Sequence, residues 1–415
     1  MWGVLNQYSI IIIRRVNFKI SYNDKVAKYY IPIVLLIVNF ICKYIFISND
    51  SIAGDEPFSI YHAQMDIYSI IRLLSMGNNP PLFEIILHFW IKMFGISSFS
   101  VRFLPMIFSV TAVYFIYKIG IKFFNLETAI LASLLYTFSS LHTGLAHETR
   151  VYSLLTMLAS ISMYLFFDLI NSSKYWSKNW RLIVCLSILN VLLIYAHYFG
   201  FFVIVVQVLS LLCIKFENKK NVIKTYFTTI CISIIFYLPN IAVLLSRFID
   251  SASHGTWLSA PRSITNILDV FRTFLNEEYG RCLFHKPIIS VLVVILILVQ
   301  TVRVILKKVD FDNNKKIIFI WFFFPYLFMF FVSYLIPMYK ERYLIITSIG
   351  LYFLIALLLS NISTQKRRLY VILPFLALYI VSYSPKYNNK RDVKATIAKV
   401  KELKNNRILV FISPD

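Results

Sequence analysis

The chain has 415 residues, of which 59% are apolar and 15% charged, with a mean hydropathy of +0.70 and a formal net charge of +22. No single soluble core can hide that much apolar surface, so an ordinary soluble domain is excluded. The basic residues lie in short clusters between apolar runs rather than on one face or tail, a pattern of membrane orientation signals and not of a nucleic-acid-binding surface.

Apolar runs of about 18 to 22 residues recur along the whole length, and each can cross a hydrocarbon layer of ~30 Å as a helix. The fold class expected is an all-α polytopic membrane protein. Residues 1–28 carry Arg14, Arg15, Lys19, Lys25 and Lys28 and are placed in the cytoplasm. No basic segment precedes the first apolar residues, so no cleavable signal peptide is expected and the first span would serve as the signal. That span falls at roughly 29–48, which puts the next loop, 49–101, outside. Further spans are expected at roughly 102–124, 127–144, 150–170, 182–198, 200–214, 225–246, 287–306, 317–336, 343–360 and 369–384. The result is a transmembrane domain over 29–385 with about eleven helices.

Loop charge supports this threading. The cytoplasmic loops would hold Lys174, Lys178 and Arg181, then Lys215, Lys219, Lys220 and Lys224, then Lys307, Lys308, Lys315 and Lys316, then Lys366, Arg367 and Arg368. Most loop acids would lie outside, among them Asp55, Glu56, Asp66, Glu148, Asp250, Asp269, Glu277 and Glu278, while Asp310 and Asp312 sit inside among lysines. LFEIILHFWIKMFG, 82–95, is apolar but too short to span, and it follows Asn79-Pro80-Pro81, which forces an extended entry. It reads as a helix lying in the outer interface, with Trp90 as anchor and with Glu84 and His88 one turn apart, close enough to bond each other. The tail, 386–415, would lie outside, with VKATIAKVKELKNN as an amphipathic helix and RILVFIS as a strand. Cys42, Cys185, Cys213 and Cys231 lie within apolar runs as small apolar side chains, and Cys282 lies in a loop.

Polar groups near lipid are expensive, so their placement is informative. They gather at four places on the side expected to face out. Asp55-Glu56 stands in AGDEPFSIYHAQ. AHETRVYSLL holds His147, Glu148, Arg150 and Tyr152 at the expected head of the fourth span, where helical spacing would give one polar edge. YAHYFG supplies His197 and Tyr198, and MYKERYL supplies Lys340, Glu341 and Arg342. A boundary carboxylate can act as a general base, and arginine's planar fork suits a phosphate. Together they fit group transfer from a lipid phosphate. Each group also has a plainer reading: loop solubility for the two acids, interfacial histidines without a role, an arginine snorkelling to a head group. His142, His147 and Glu148 match no strong metal-ligand spacing; no cofactor is implied, and a divalent metal stays open.

The order of an Asp-Glu pair after the first span, NNPPLFEIILHFWIKMFG, VRFLP, ETRVYSLL and AHYFG resembles bacterial membrane glycosyltransferases like those of family 39, within the GT-C superfamily. Protein O-mannosyltransferases and aminoarabinose lipid A transferases are relatives. The resemblance covers roughly 29–385, most strongly 50–200. It implies interfacial helices in the first outer loop, a polyprenyl-phosphate sugar donor and transfer outside the bacterial plasma membrane to a glycan, lipid or protein acceptor of the envelope. By position it makes Asp55 the general base and Glu56 its neighbour. It makes Arg150 a ligand of the donor phosphate, matches Pro80, Pro81 and His88 to the interfacial-helix motif, and matches Arg342 to a basic residue of the late outer loop. His147, Glu148, His197, Tyr198 and Lys340 join these as candidate substrate-binding groups. Glu84 departs from the pattern, since an aromatic residue is common there, and the terminal region is shorter than in many relatives. Other readings are a flippase or transporter of lipid-linked sugars, which would show polar groups deep in the spans, a non-catalytic scaffold, and a polymerase or ligase of O-antigen type working through the 247–286 loop.

Overall fold

The computed structural model describes residues 25–48, 51–77, 79–171, 180–215, 219–254, 258–277, 287–306, 311–362, 364–384 and 402. The chain divides into two compact units, Met1–Val34 and Leu35–Asp415. The described part of the first is a π-helical turn, Val26–Tyr30, and the start of helix α1, Ile31–Tyr44; all that follows concerns the second. The C-terminal helix and strand expected over 386–415, apart from Glu402, lie outside the described residues, as do Cys282 and Glu278.

The described residues are overwhelmingly helical and contain no strand. The loop after α1 holds three short helices, α2 (Glu56–Ala63), α3 (Ile67–Ser75) and α4 (Leu82–Phe94). Helices α5 (Ser98–Phe123), α6 (Leu126–Thr137), α7 (Ser140–Ala146), α8 (Tyr152–Ile170), α9 (Trp180–Ala196), α10 (Phe201–Cys213) and α11 (Lys219–His254) follow. The last are α12 (Asn266–Phe274), α13 (Ile288–Ile305), α14 (Asn313–Val332), α15 (Ile345–Ser360) and α16 (Gln365–Val381). Many starts are written locally. Asp66, Ser97, Asn125, Ser139 and Asp312 each accept a backbone N–H from the first turn of the helix they precede, satisfying a donor that has no intrahelical partner.

A helix lies on every stretch expected to span. Six helices among the described residues are long and apolar enough to do so alone, and α6 with α7 makes a seventh if the pair, bent by 59°, is one span. Helices α9, α10 and α15 are apolar but have 17, 13 and 16 residues, short of the ~20 that a perpendicular crossing needs. Helix α11 runs on to His254, so the start of the expected 247–286 loop is helical instead.

Helix α5 packs along α8 and α6, α15 packs against α14 and α6, and α10 lies on α14. Gly120 sets the α5–α6 approach: a Cβ there would stand 2.3 Å from Ala129 Cα. Helices α11 and α13 expose long apolar faces, including Phe227, Ile235, Ile295, Leu298 and Val302, as lipid-facing helices do.

The bend between α6 and α7 frees backbone groups that lipid cannot satisfy. Asn276 replaces the lost partners, accepting from Ser140 N at 2.8 Å and donating to Phe138 O at 2.7 Å. Tyr352 OH donates to Ser139 Oγ, and His142 Nε2 lies 2.7 Å from Ser348 Oγ. Lys43 is fully buried over the Tyr136 ring. Polar groups inside the helical bundle are thus more numerous than the sequence reading allows, and these ones close around a helix break.

Candidate functional site: a carboxylate and two arginines at the α1–α5 loop

The first helix of the loop begins at a sharp turn. Gly54 has φ +62°, a left-handed conformation that costs glycine nothing. Asp55 occupies the N-cap position of α2, and Pro57 sits in the first turn, where its missing N–H does no harm.

The two adjacent acids have opposite fates. Glu56 is 1% exposed and clasped by Arg102, also 1% exposed: Nε donates to Oε1 and Nη2 to Oε2, each at 2.7 Å. Ala53 N, Thr149 N and Thr149 Oγ1 donate to the same carboxylate. Arg102 also holds the carbonyls of Ile47 and Ser51. Glu56 is therefore enclosed in a saturated network that ties both ends of the loop to residue 149. Asp55 makes no side-chain cap and points outward, 56% exposed, to meet Arg342 Nη1 at 2.8 Å.

Residues 147–151 are not the helix head that the sequence reading expects, because α8 begins only at Tyr152. Thr149 gives its amide to Glu56 rather than to a helix, so the expected helical spacing of His147 with Arg150 and Glu148 with Tyr152 does not form. Arg150 is nonetheless brought to the site. Nη1 donates to Ser59 Oγ at 3.0 Å, Nη2 reaches Asn79 Oδ1 at 3.4 Å, and the guanidinium lies 5.3 Å from the Phe58 ring centre. Its Nε is buried with no hydrogen-bond partner among the described residues.

Ser59 in turn donates to Glu84 Oε1 at 2.8 Å. Glu84 and His88 do not bond each other: His88 Nδ1 lies 2.9 Å from Ala63 O and braces α4 against α2. Burial pushes the Glu84 carboxyl above its ordinary value, while the Arg150 charge, the Ser59 hydroxyl and His62 pull the other way.

Arg342 lies with its guanidinium 5.8 Å from the Tyr152 ring centre. Burial alone would lower its pKa, but Tyr152, Glu148 and Asp55 together raise it, so it stays charged. Tyr152 continues through ring contacts to His197 and from there to Tyr343, forming one wall, and His197 feels the charge of Arg150. The remaining candidates face elsewhere. His147 Nε2 donates to Lys43 O at 2.6 Å, Tyr198 lies toward Arg247, and Lys340 pairs with Glu341 at 3.2 Å. Trp90 spends its N–H on Ser100 O and packs on Phe94 and Phe103. Arg102, Ser59, Asn79 and Thr149 lie within VRFLP, AGDEPFSIYHAQ, NNPPLFEIILHFWIKMFG and ETRVYSLL, stretches the sequence reading singled out, but it picked none of the four as a site residue. Among the described residues no group of three or more His, Cys, Asp or Glu side chains could hold a metal ion.

Residues 78–243 match the family model described as dolichyl-phosphate-mannose-protein mannosyltransferase. No curated protein sequence matches the chain. In fold, the chain is similar to the crystal structure of ArnT from Cupriavidus metallidurans bound to undecaprenyl phosphate, at 11% identity and TM-score 0.57, covering 82% of this chain and 62% of that one. It is also similar to the archaeal oligosaccharyltransferase AglB from Archaeoglobus fulgidus in complex with an inhibitory peptide and a dolichol-phosphate, at 12% identity and TM-score 0.60, covering 94% of this chain and 60% of that one. The chain thus spans about three fifths of the length of these solved proteins. With the helical architecture above, these likenesses establish that the chain has the GT-C fold and resembles, over 78–243, the mannosyltransferase family that the model describes.

Proposed function

We propose that the chain is an integral-membrane glycosyltransferase that moves a sugar from a polyprenyl-phosphate donor to an acceptor outside the cytoplasm, in a bacterial plasma membrane. The observation that carries the reading is the outward-turned Asp55 carboxylate held 2.8 Å from Arg342, on the loop whose next helix also supports Arg150 through Ser59. A base and two phosphate-binding cations brought together at the α1–α5 loop from three separate connections are what transfer from a lipid phosphate requires. ArnT was solved with undecaprenyl phosphate and AglB with dolichol-phosphate; a polyprenyl phosphate is the ligand class proposed here.

In this mechanism Asp55 takes the proton of the acceptor hydroxyl or amine as that atom attacks the anomeric carbon. The bond between the anomeric carbon and the phosphate oxygen breaks on the opposite face, so configuration inverts. The departing polyprenyl phosphate gains charge, which Arg342 and Arg150 stabilise. Arg342 serves twice: before donor binding it neutralises Asp55, and with donor present its fork turns to the phosphate. Glu56, clasped by Arg102 and Thr149, fixes the backbone from which Asp55 projects. Transfer of radiolabelled sugar from a panel of polyprenyl-phosphate sugars to envelope extract, with membranes of wild type and Asp55→Asn, tests the proposal. Transfer by wild type that falls at least about a hundredfold in the variant supports it; equal transfer by both removes Asp55 as base.

A transporter of lipid-linked sugars would place polar groups deep among the spans. Asn276, Tyr352, Ser139, His142 and Ser348 at the α6–α7 bend bond one another and backbone groups freed by the bend, so the helix break accounts for them and they lend the transporter reading no support.

A further inference from the structure

Arg150 has an unusual support. It stands in a loop, is 8% exposed and approaches no carboxylate directly within salt-bridge distance among the described residues. Its charge is instead answered at one remove: the guanidinium donates to Ser59 Oγ at 3.0 Å, and the Ser59 hydroxyl donates to Glu84 Oε1 at 2.8 Å. Because serine donates one proton and accepts another, the two bonds run in one direction and polarise each other. The three groups come from three elements. Ser59 is on α2, Glu84 on the first turn of α4, and Arg150 between α7 and α8. Ser59 is fully buried and Glu84 is 3% exposed. With Phe58 against the guanidinium face and Asn79 on Nη2, one side of Arg150 is fixed, while its buried Nε–H has no acceptor among the described residues. A buried donor left open in an otherwise anchored guanidinium points to a ligand.

We propose that Glu84, acting through Ser59, is a positioning residue that holds the Arg150 guanidinium for the donor phosphate. This rests on the reading of Arg150 as a phosphate ligand. Ser59 fixes the direction of the guanidinium, and Glu84 fixes the direction of the Ser59 hydroxyl. Glu84 thus does work that an aromatic side chain at the same place could not, since a ring offers that hydroxyl no carboxylate to bond.

The test is binding and turnover by the full-length protein in detergent. Farnesyl phosphate serves as the isoprenyl monophosphate probe, and wild type is compared with Ser59→Ala, Glu84→Leu, Glu84→Gln and Arg150→Lys. Ser59→Ala and Glu84→Leu should each weaken farnesyl phosphate binding and raise the donor KM about tenfold or more, with the acceptor KM unchanged, as a displaced binding group does. Glu84→Gln keeps an acceptor for the Ser59 hydroxyl and should recover most of the loss. In an Arg150→Lys background, Glu84→Leu and Ser59→Ala should have no further effect, because the group they position is gone. If Arg150→Lys binds the probe as wild type does, the phosphate role of Arg150 is wrong and the relay falls with it. If Arg150→Lys weakens binding but Ser59→Ala leaves both probe affinity and donor KM unchanged, the phosphate reading stands and the relay alone is overturned. Ser59→Ala removes a single oxygen, so it decides the matter even if Glu84→Leu fails to fold.

Discussion

Replacing Arg102, near the start of α5, by methionine should destabilise the chain strongly. The guanidinium donates twice to Glu56, at 2.7 Å each, and to the carbonyls of Ile47 and Ser51 at 3.1 and 2.9 Å. Charge-assisted bonds contribute about 1.5–3 kcal/mol each, but they share one desolvation penalty and do not add. The greater cost comes from what the substitution leaves behind: a Glu56 carboxylate that is 1% exposed and has lost the bidentate guanidinium, while its bonds from Ala53 N and Thr149 come from neutral groups. Removing one partner of a buried pair costs about 3–5 kcal/mol, whereas replacing both partners by apolar residues of similar volume is often close to neutral. Arg102→Met and Glu56→Leu should therefore each sharply reduce the fraction of detergent-solubilised protein that stays monodisperse after heating, and the double variant should recover much of the loss. Arg102→Met that survives heating like wild type, or a double variant showing the full sum of the single losses, would refute the account of Glu56 as a structural anchor.

Three other outcomes follow. Asp55→Asn should abolish transfer by about a hundredfold or more while leaving heat resistance unchanged, because Asp55 caps nothing and is 56% exposed; loss of protein together with activity would contradict this. Arg342→Gln should reduce transfer and weaken the donor, and with Asp55→Asn the two losses should combine to less than their product, since the pair is shared; strict multiplicativity in kcat/KM would count against it. Glu84 binds its proton more tightly folded than unfolded, so the stability it contributes is present below the ordinary glutamate value of 4.5 and is lost as pH rises through the raised folded value. Glu84→Gln has no such proton to lose and should gain on wild type in heat resistance as pH is raised from below 4.5 towards neutrality; a difference that stays flat with pH would show that Glu84 is not buried against its ionisation.

The helices were legible because each needs only a run of apolar residues, and such runs are local. The spanning count was less so. Length alone does not say whether α9, α10 and α15 cross as tilted or broken spans, and the bend at Phe138 is stabilised by Asn276, 138 residues further on. The site shows the same limit more sharply. Asp55 and Glu56 are indistinguishable in sequence, since what separates them is Arg102 on one side and Arg342 on the other, 46 and 287 residues away. Arg150 could be singled out as a cation beside lipid, but its supports could not, because Ser59 and Asn79 look like any loop residues. The misplaced helix start at 147 has the same origin: local spacing favours a helix, and a distant carboxylate takes the amide that would have begun it.

The geometry of Asp55 argues for chemistry rather than stability. An aspartate at an N-cap ordinarily accepts a backbone N–H, a bond that stabilises a helix by about 0.5–2 kcal/mol. Asp66 and Asp312 do this at α3 and α14, so the chain uses the device freely. Asp55 occupies the same kind of position and forgoes it, turning its carboxylate to Arg342 instead. A partly exposed ion pair contributes about 0–1 kcal/mol, so the exchange gains the fold nothing. The surroundings nevertheless enforce it: Gly54 supplies a left-handed turn, and the adjacent Glu56 is locked by Arg102 and Thr149 so that the backbone cannot relax. A neighbour held rigid by a buried pair, next to a carboxylate denied its cap and offered to a cation, is the arrangement expected when a loop must present one acid at a fixed place for a proton to arrive.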